Sequence, residues 1–237
     1  MAPAMMALLD QSTELWSSYI EQCLQPDRRI TSNHAVRISN SLKAITDSLF
    51  RHCLPEEAPA MVQPLLRRLG TAEGEECFIL ADALCHVPPT LPDRAAVEAL
   101  IEALLPMLQQ PVHHRIAALQ CADHFLPVLQ ADPPAVLTAM TEQAERDPEF
   151  AVSYLARRLR LSMRPQSVPA LPLDAAGMYL SNLKNAVHWM VKLVQIDALC
   201  DDAVYHPQSA FHTAMHLSNL LSVSEHLPVR EIGRAHV

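Results

Sequence analysis

The chemistry open to this chain rests on its histidines, cysteines and arginines. His212 and His216 stand four apart on an expected helix, so they share a face at the spacing of two zinc ligands. Position 213 is Thr, where a metalloprotease of that type carries its general-base Glu, and no third ligand follows; the pair reads as a polar helix face. His114, Cys121 and His124 fall on one side of another helix, at i, i+7 and i+10. Phe125 and Leu126 beside them favour a packed position, where a neutral imidazole and a thiol are tolerated once hydrogen-bonded. The histidines show no clustering along the sequence of the kind a pH switch needs. A Gly-rich phosphate loop and a Gly-x-Ser-x-Gly elbow are both missing, which excludes nucleotide binding and acyl transfer by those routes. No catalytic residue, no metal ligand set and no cofactor is expected.

Two features point to partner binding instead. Arg157, Arg158, Arg160 and Arg164 form the one dense basic run, expected at a helix C-terminal end where cations complement the macrodipole, or as a docking patch for an acidic partner. Trp189 and Tyr179 on one expected helix, and Trp16 and Tyr19 on the first, are either interface anchors or wedges between packed helices.

Composition narrows the elements that carry these groups. Half of the 237 residues are apolar, enough for a sizeable core, while only four are glycine. Aromatics make up 5%, and no segment alternates between Asn-Gly or Asp-Gly turns, so strands are poorly supported. The formal charge of −8 argues against nucleic acid, which requires clustered positive charge to release counterions. No apolar stretch approaches the roughly 18–20 residues of a membrane span. Cys23, Cys53, Cys77, Cys85, Cys121 and Cys200 show no Cys-x-x-Cys spacing and read as reduced core thiols. An intracellular location, cytoplasmic or nuclear, follows as the expectation.

Helical periodicity sets the architecture. Ile38, Leu42, Ile45 and Leu49 recur at i, i+4, i+7 and i+11, and Val97, Leu100, Ile101, Leu104, Leu105 and Leu108 form a second stripe behind Pro92-Asp93. Ile116, Leu119, Phe125, Leu126 and Leu129 form a third, and Leu183, Val187, Met190 and Val194 a fourth. About ten helices are expected, near 4–24, 33–53, 57–69, 74–86, 93–109, 112–130, 133–145, 148–163, 174–200 and 208–224, with prolines at nearly every junction. Residues 1–164 form the main helical region, 165–173 a Pro-rich linker and 174–230 a further helical pair.

An internal period accompanies the pattern. Gln63-Pro64-Leu65-Leu66 reappears as Leu105-Pro106-Met107-Leu108, with Pro106 in the place of Pro64. Ala81-Asp82-Ala83-Leu84 reappears as Ala122-Asp123-His124-Phe125 at nearly the same offset, with Asp123 in the place of Asp82. Over residues 57–130 this resembles HEAT or armadillo repeats, whose period is about 40–47 residues. The resemblance implies an all-α fold of stacked antiparallel helix pairs, an α-solenoid without a sheet.

The stretch Asn182-Leu183-Lys184-Asn185-Ala186-Val187-His188-Trp189-Met190-Val191-Lys192-Leu193-Val194 leads through an acidic loop at Asp201-Asp202 into Ala210–Leu221 and then Leu227-Pro228-Val229-Arg230. This order resembles the helical region upstream of the catalytic domain in HECT-type ubiquitin ligases. It implies the non-catalytic, substrate-selecting arm of such an enzyme, with none of the six cysteines as its nucleophile. Residues 231–237, ending Ile232-Gly233-Arg234-Ala235-His236-Val237, read as translated sequencing adaptor, so Arg230 is taken as the last residue of the protein segment and the chain as a fragment. The functional expectation is a helical scaffold binding one or more protein partners, with a solenoid adaptor of vesicle trafficking or transport, or another HEAT-like structural subunit, as the alternative.

Overall fold

The computed structural model describes residues 3–24, 30–54, 56–129, 131–163, 188–205, 211, 214–215 and 217–218. Among these the fold is all helical, with no strand. The helices are α1 (Pro3–Leu24), α2 (Ser32–His52), α3 (Ala58–Leu69), α4 (Glu75–Leu84), α5 (Arg94–Leu104), α6 (Val112–His124), α7 (Leu126–Leu129), α8 (Ala135–Glu145), α9 (Phe150–Met163) and α10 (Trp189–Tyr205), with a 3₁₀ turn at Leu105–Gln109. The chain divides into two compact units, Met1–Ala144 and Glu145–Val237. The Pro-rich segment 165–173, Arg164, Tyr179, the residues 182–187 and 219–230 that carry much of the ligase resemblance, and 231–237 lie outside the described residues.

In the first unit the helices stack in two rows. Contacts run from α1 to α3, α3 to α5 and α5 to α7 along one row, and from α2 to α4 and α4 to α6 along the other. Side-chain bonds between stacked helices give their direction. The start of α4 meets the start of α6, where His114 Nε2 lies 3.0 Å from the Gly74 carbonyl. The segment just past α4 meets the end of α6, where His124 Nε2 lies 2.6 Å from the Val87 carbonyl. These two helices therefore run parallel, as alternate members of antiparallel pairs must.

Proline shortens two expected helices. The expected helix 93–109 is α5 followed by the 3₁₀ turn, because Pro106 has no N–H for the α-ladder. The expected helix 112–130 breaks at Phe125, two residues before Pro127. Asp93 caps α5 by accepting from Ala96 N at 2.7 Å, in keeping with the N-terminal signal.

The expected stripe of α2 needs correction. Leu42 is fully buried, but Ile45 is 37% exposed, and the buried face runs Ala35, Ser39, Leu42, Thr46 and Phe50. At 100° per residue the helix is turned by about 70° from the apolar stripe. The reason is polar: Ser39 Oγ donates to Asp82 of α4, and Lys43 Nζ lies 3.1 Å from the same carboxylate. Asp82 is thus a hub between two stacked helices. The stripe of α5 follows the sequence pattern, with Val97, Leu100, Ile101 and Leu104 buried and Leu105 beyond it half-buried. Ile116 and Leu119 of α6, Phe125 after it and Leu129 of α7 are buried too, but α6 has no exposed side.

In the second unit α9 packs on α10. The helix continues through Asp201 and Asp202 to Tyr205, so the expected acidic loop is helical. Asp201 accepts from the hydroxyl of buried Tyr154, which gives that carboxylate a reason to sit on the packed face. Burial and the neighbouring Asp201 charge push the Tyr154 phenol well up.

Asp82→Ala leaves the Lys43 ammonium and the Ser39 hydroxyl without their shared acceptor, and is expected to destabilise the first unit by about 1–3 kcal/mol. Asp47→Ala removes the exposed Arg51 pair and is expected to cost far less. Urea unfolding of the two variants checks the order.

Candidate functional site

The N-terminal turns of α4 and α6 bring together a group of titratable side chains that stand far apart in the sequence. Gly74 makes the approach possible. As the N-cap of α4 it has φ 55° and ψ −133°, close to the first corner of a type II′ turn, which glycine adopts without strain. The Glu76 N–H donates to the Glu73 carbonyl at 3.3 Å and closes this turn. The Gly74 carbonyl then accepts from Cys77 N at 3.1 Å and takes the His114 ring at its other lone pair.

Around this corner His113 Nε2 lies 3.1 Å from Glu75 Oε2, and the two imidazole rings sit 4.2 Å apart between centroids. Phe78 closes the inner side, edge-on to His113 at 5.4 Å and to His114 at 6.2 Å. His114 is 2% exposed and His113 7%. Burial, and then the charge of His113, push the His114 imidazole below the ordinary histidine range, against the opposing pull of the Gly74 carbonyl and Glu75. Helix dipoles act in the same sense. Two positive helix ends meet here, favouring the Glu75 carboxylate and disfavouring an imidazolium by about 0.3–1 kcal/mol each. His114 is therefore held neutral, with Nε2–H facing a carbonyl that can only accept. Its Nδ1 is buried and has no hydrogen-bond partner among the described residues. Glu75, His113 and His114 together offer one carboxylate oxygen and two ring nitrogens within 4.8 Å of one another. Among the described residues they form a donor set suited to a metal ion.

The sequence pattern groups His114 with Cys121 and His124, and the fold separates their roles. Cys121 is fully buried, its thiol pushed well up by the hydrogen bond with Cys85 and by burial. His124 is half-buried on the Val87 carbonyl. All six cysteines are free thiols. His212 and His216 lie outside the described residues.

The expected partner-binding residues are dispersed. Arg157 is exposed in the middle of α9, with Arg158 half-buried beside it, so neither caps a helix end. Arg160 alone falls in the last turn, where its Nε lies 2.7 Å from Glu145 Oε1 without hydrogen-bond alignment, as an ion pair. Trp189 opens α10 half-buried, its ring 5.8 Å from that of His188. Trp16 is a wedge: it is 5% exposed and donates from Nε1 to the Met61 carbonyl at 3.1 Å.

A second concavity lies between α1 and α3, a cleft of about 630 Å³. Glu14 and Glu21 stand on one wall and Arg67 and Arg68 on the other. Arg68 is tied to Glu76 at 2.6 Å and to Glu21 at 3.4 Å, while Arg67 is exposed.

Comparison with protein-family models, with curated proteins and with solved structures gives no significant match.

Helical periodicity misses Glu75 and His113, because it relates each residue only to neighbours on its own helix. The repeat offset is the signal that could have found them. Parallel stacking at a period of about 40 residues makes a residue at 75 a neighbour of residues near 113 to 116.

Because the folded state holds His114 below the unfolded value of about 6.5, the unfolded chain takes up the proton first as pH falls. Its contribution to stability is complete above pH 6.5 and is lost downward from there to the folded value, at up to about 1.4 kcal/mol per pH unit. His114→Gln retains a donor for Gly74 but does not titrate. Urea midpoints measured with a chelator present from pH 7.5 to 5.5 are expected to fall less steeply in this variant than in the parent.

Proposed function

We propose that the chain is a helical scaffold that binds a protein partner along the groove between α1 and α3, with no reaction of its own. The observation that carries this reading is the polarity of the cleft. Of the residues that line it, only Ala60 and Pro64 are apolar, whereas small-molecule sites are lined mainly by hydrophobic side chains. Carboxylates on one wall facing guanidiniums on the other suit an extended segment with mixed charge and exposed peptide groups. Stacking in rows supports the reading from a second direction. Repeated helix pairs create grooves between successive members of a row, and such grooves are the working surface of HEAT-type and armadillo-type arrays.

The basic run of α9 is the competing surface, and charge reversal separates the two. Arg67→Glu is expected to lower the amount of specifically retained partner about tenfold, equivalent to about 1.4 kcal/mol, in quantitative affinity capture. Arg157→Glu is expected to leave it unchanged. The reverse pattern would move the interface to α9, and a parent chain that retains nothing specific would remove the scaffold reading itself.

A further inference from the structure

We propose that Glu75, His113 and His114 form a binding site for a zinc-class divalent ion that clips the N-terminal turns of α4 and α6 together. Nitrogen and oxygen ligands bound at about 2.0–2.1 Å to a tetrahedral zinc stand about 3.3 Å from one another. The separation of His113 Nε2 and Glu75 Oε2, 3.1 Å, already meets that spacing. The remaining separations in the set are no more than 4.8 Å.

His114 supplies the independent observation. A carbonyl cannot donate, so the nitrogen facing Gly74 bears the proton, and Nδ1 is left as a buried lone pair with no partner among the described residues. Histidines that bind metal have this arrangement: one nitrogen donates to a fixed acceptor, which sets tautomer and ring orientation, and the other gives its lone pair to the ion. Native interiors satisfy nearly all their polar atoms, and among the eight buried side-chain atoms left without a hydrogen-bond partner in the described residues His114 Nδ1 is the one that belongs to this donor set.

The donor set selects the class of ion. Two imidazoles with one carboxylate suit zinc and its late transition-metal neighbours, whereas magnesium and calcium take oxygen ligands. The ligand bonds to such an ion and the Glu75 charge outweigh the two opposing helix ends, whose effect on each unit charge is small beside them. On binding, the proton that His113 Nε2 shares with Glu75 passes to Nδ1 of the same ring or to solvent, and the ion takes its place between the two side chains. The Glu75 side chain is 17% exposed and that of His113 9%, which provides an entry path and leaves the fourth position to water. The site lies on the α2–α4–α6 row, apart from the α1–α3 groove.

The test uses the full chain with a phosphine reductant, titrated with zinc against a chromophoric chelator near neutral pH. One equivalent is expected to bind saturably. His114→Gln and Glu75→Gln are each expected to weaken binding about a hundredfold, and Cys121→Ser to leave it unchanged. Cobalt in place of zinc is expected to give visible d–d bands without sulfur-to-metal charge transfer. Zinc is expected to raise the thermal midpoint of the parent chain but not that of either variant. Urea unfolding shows which variants are folded, and Glu75→Gln, at the outer edge of the site, serves if His114→Gln is not. Absence of saturable binding, equal binding in a folded variant, or a sulfur charge-transfer band would each overturn the site.

Discussion

The α4 helix is covered on three sides, by α2, α6 and α3, and this enclosure governs how its neighbours are placed. Phe78, Ile79, Leu80 and Leu84 lose nearly all contact with water, each worth about 1.5–3 kcal/mol of burial. A single buried polar atom left bare costs about 1–3 kcal/mol, the same size. Each polar group that the enclosure traps therefore competes on equal terms with a large apolar side chain. The Asp82 carboxylate takes Ser39 and Lys43, the Gly74 carbonyl takes His114, and the Val87 carbonyl takes His124. The rotation of α2 away from its own apolar stripe is one outcome. Ile45 meets water so that Ser39 can meet Asp82.

How much of this is legible in the sequence depends on which force decides each element. Where burial alone decides, as in α5, the stripe Val97–Leu104 can be read directly, and the all-helical class follows from scarce glycine and proline-marked junctions. Where a polar bond decides, periodicity misleads. The turning of α2 by Asp82 and the extension of α10 past Asp201 both follow from side chains distant in sequence, and a carboxylate at Asp201-Asp202 reads as loop until its Tyr154 partner is seen. The histidine cluster is hidden for the same reason. Glu75 and His113 look ordinary along their own helices, and only the stacking offset makes them neighbours.

The two concave features of the first unit are built from different rows. The α1–α3 cleft has charge on its walls and an exposed arginine, as befits a surface that exchanges water for a partner. The corner at Gly74 joins two buried imidazoles to an exposed turn and a half-buried carboxylate, as befits a point of attachment at the edge of the stack. Phe78 and the glycine turn before Glu75 keep that corner tight.

The bonds between stacked helices have one more consequence, for how the chain reaches this state. Trp16 to Met61, Ser39 to Asp82, His113 to Glu75, His114 to Gly74 and His124 to Val87 span 45, 43, 38, 40 and 37 residues. None ties the beginning of the unit to its end. Closing such mid-sized loops in turn costs far less time than waiting for distant segments to meet. Each helix can dock as soon as the pair before it exists, so assembly can keep pace with a chain emerging from the ribosome, one layer added to the last.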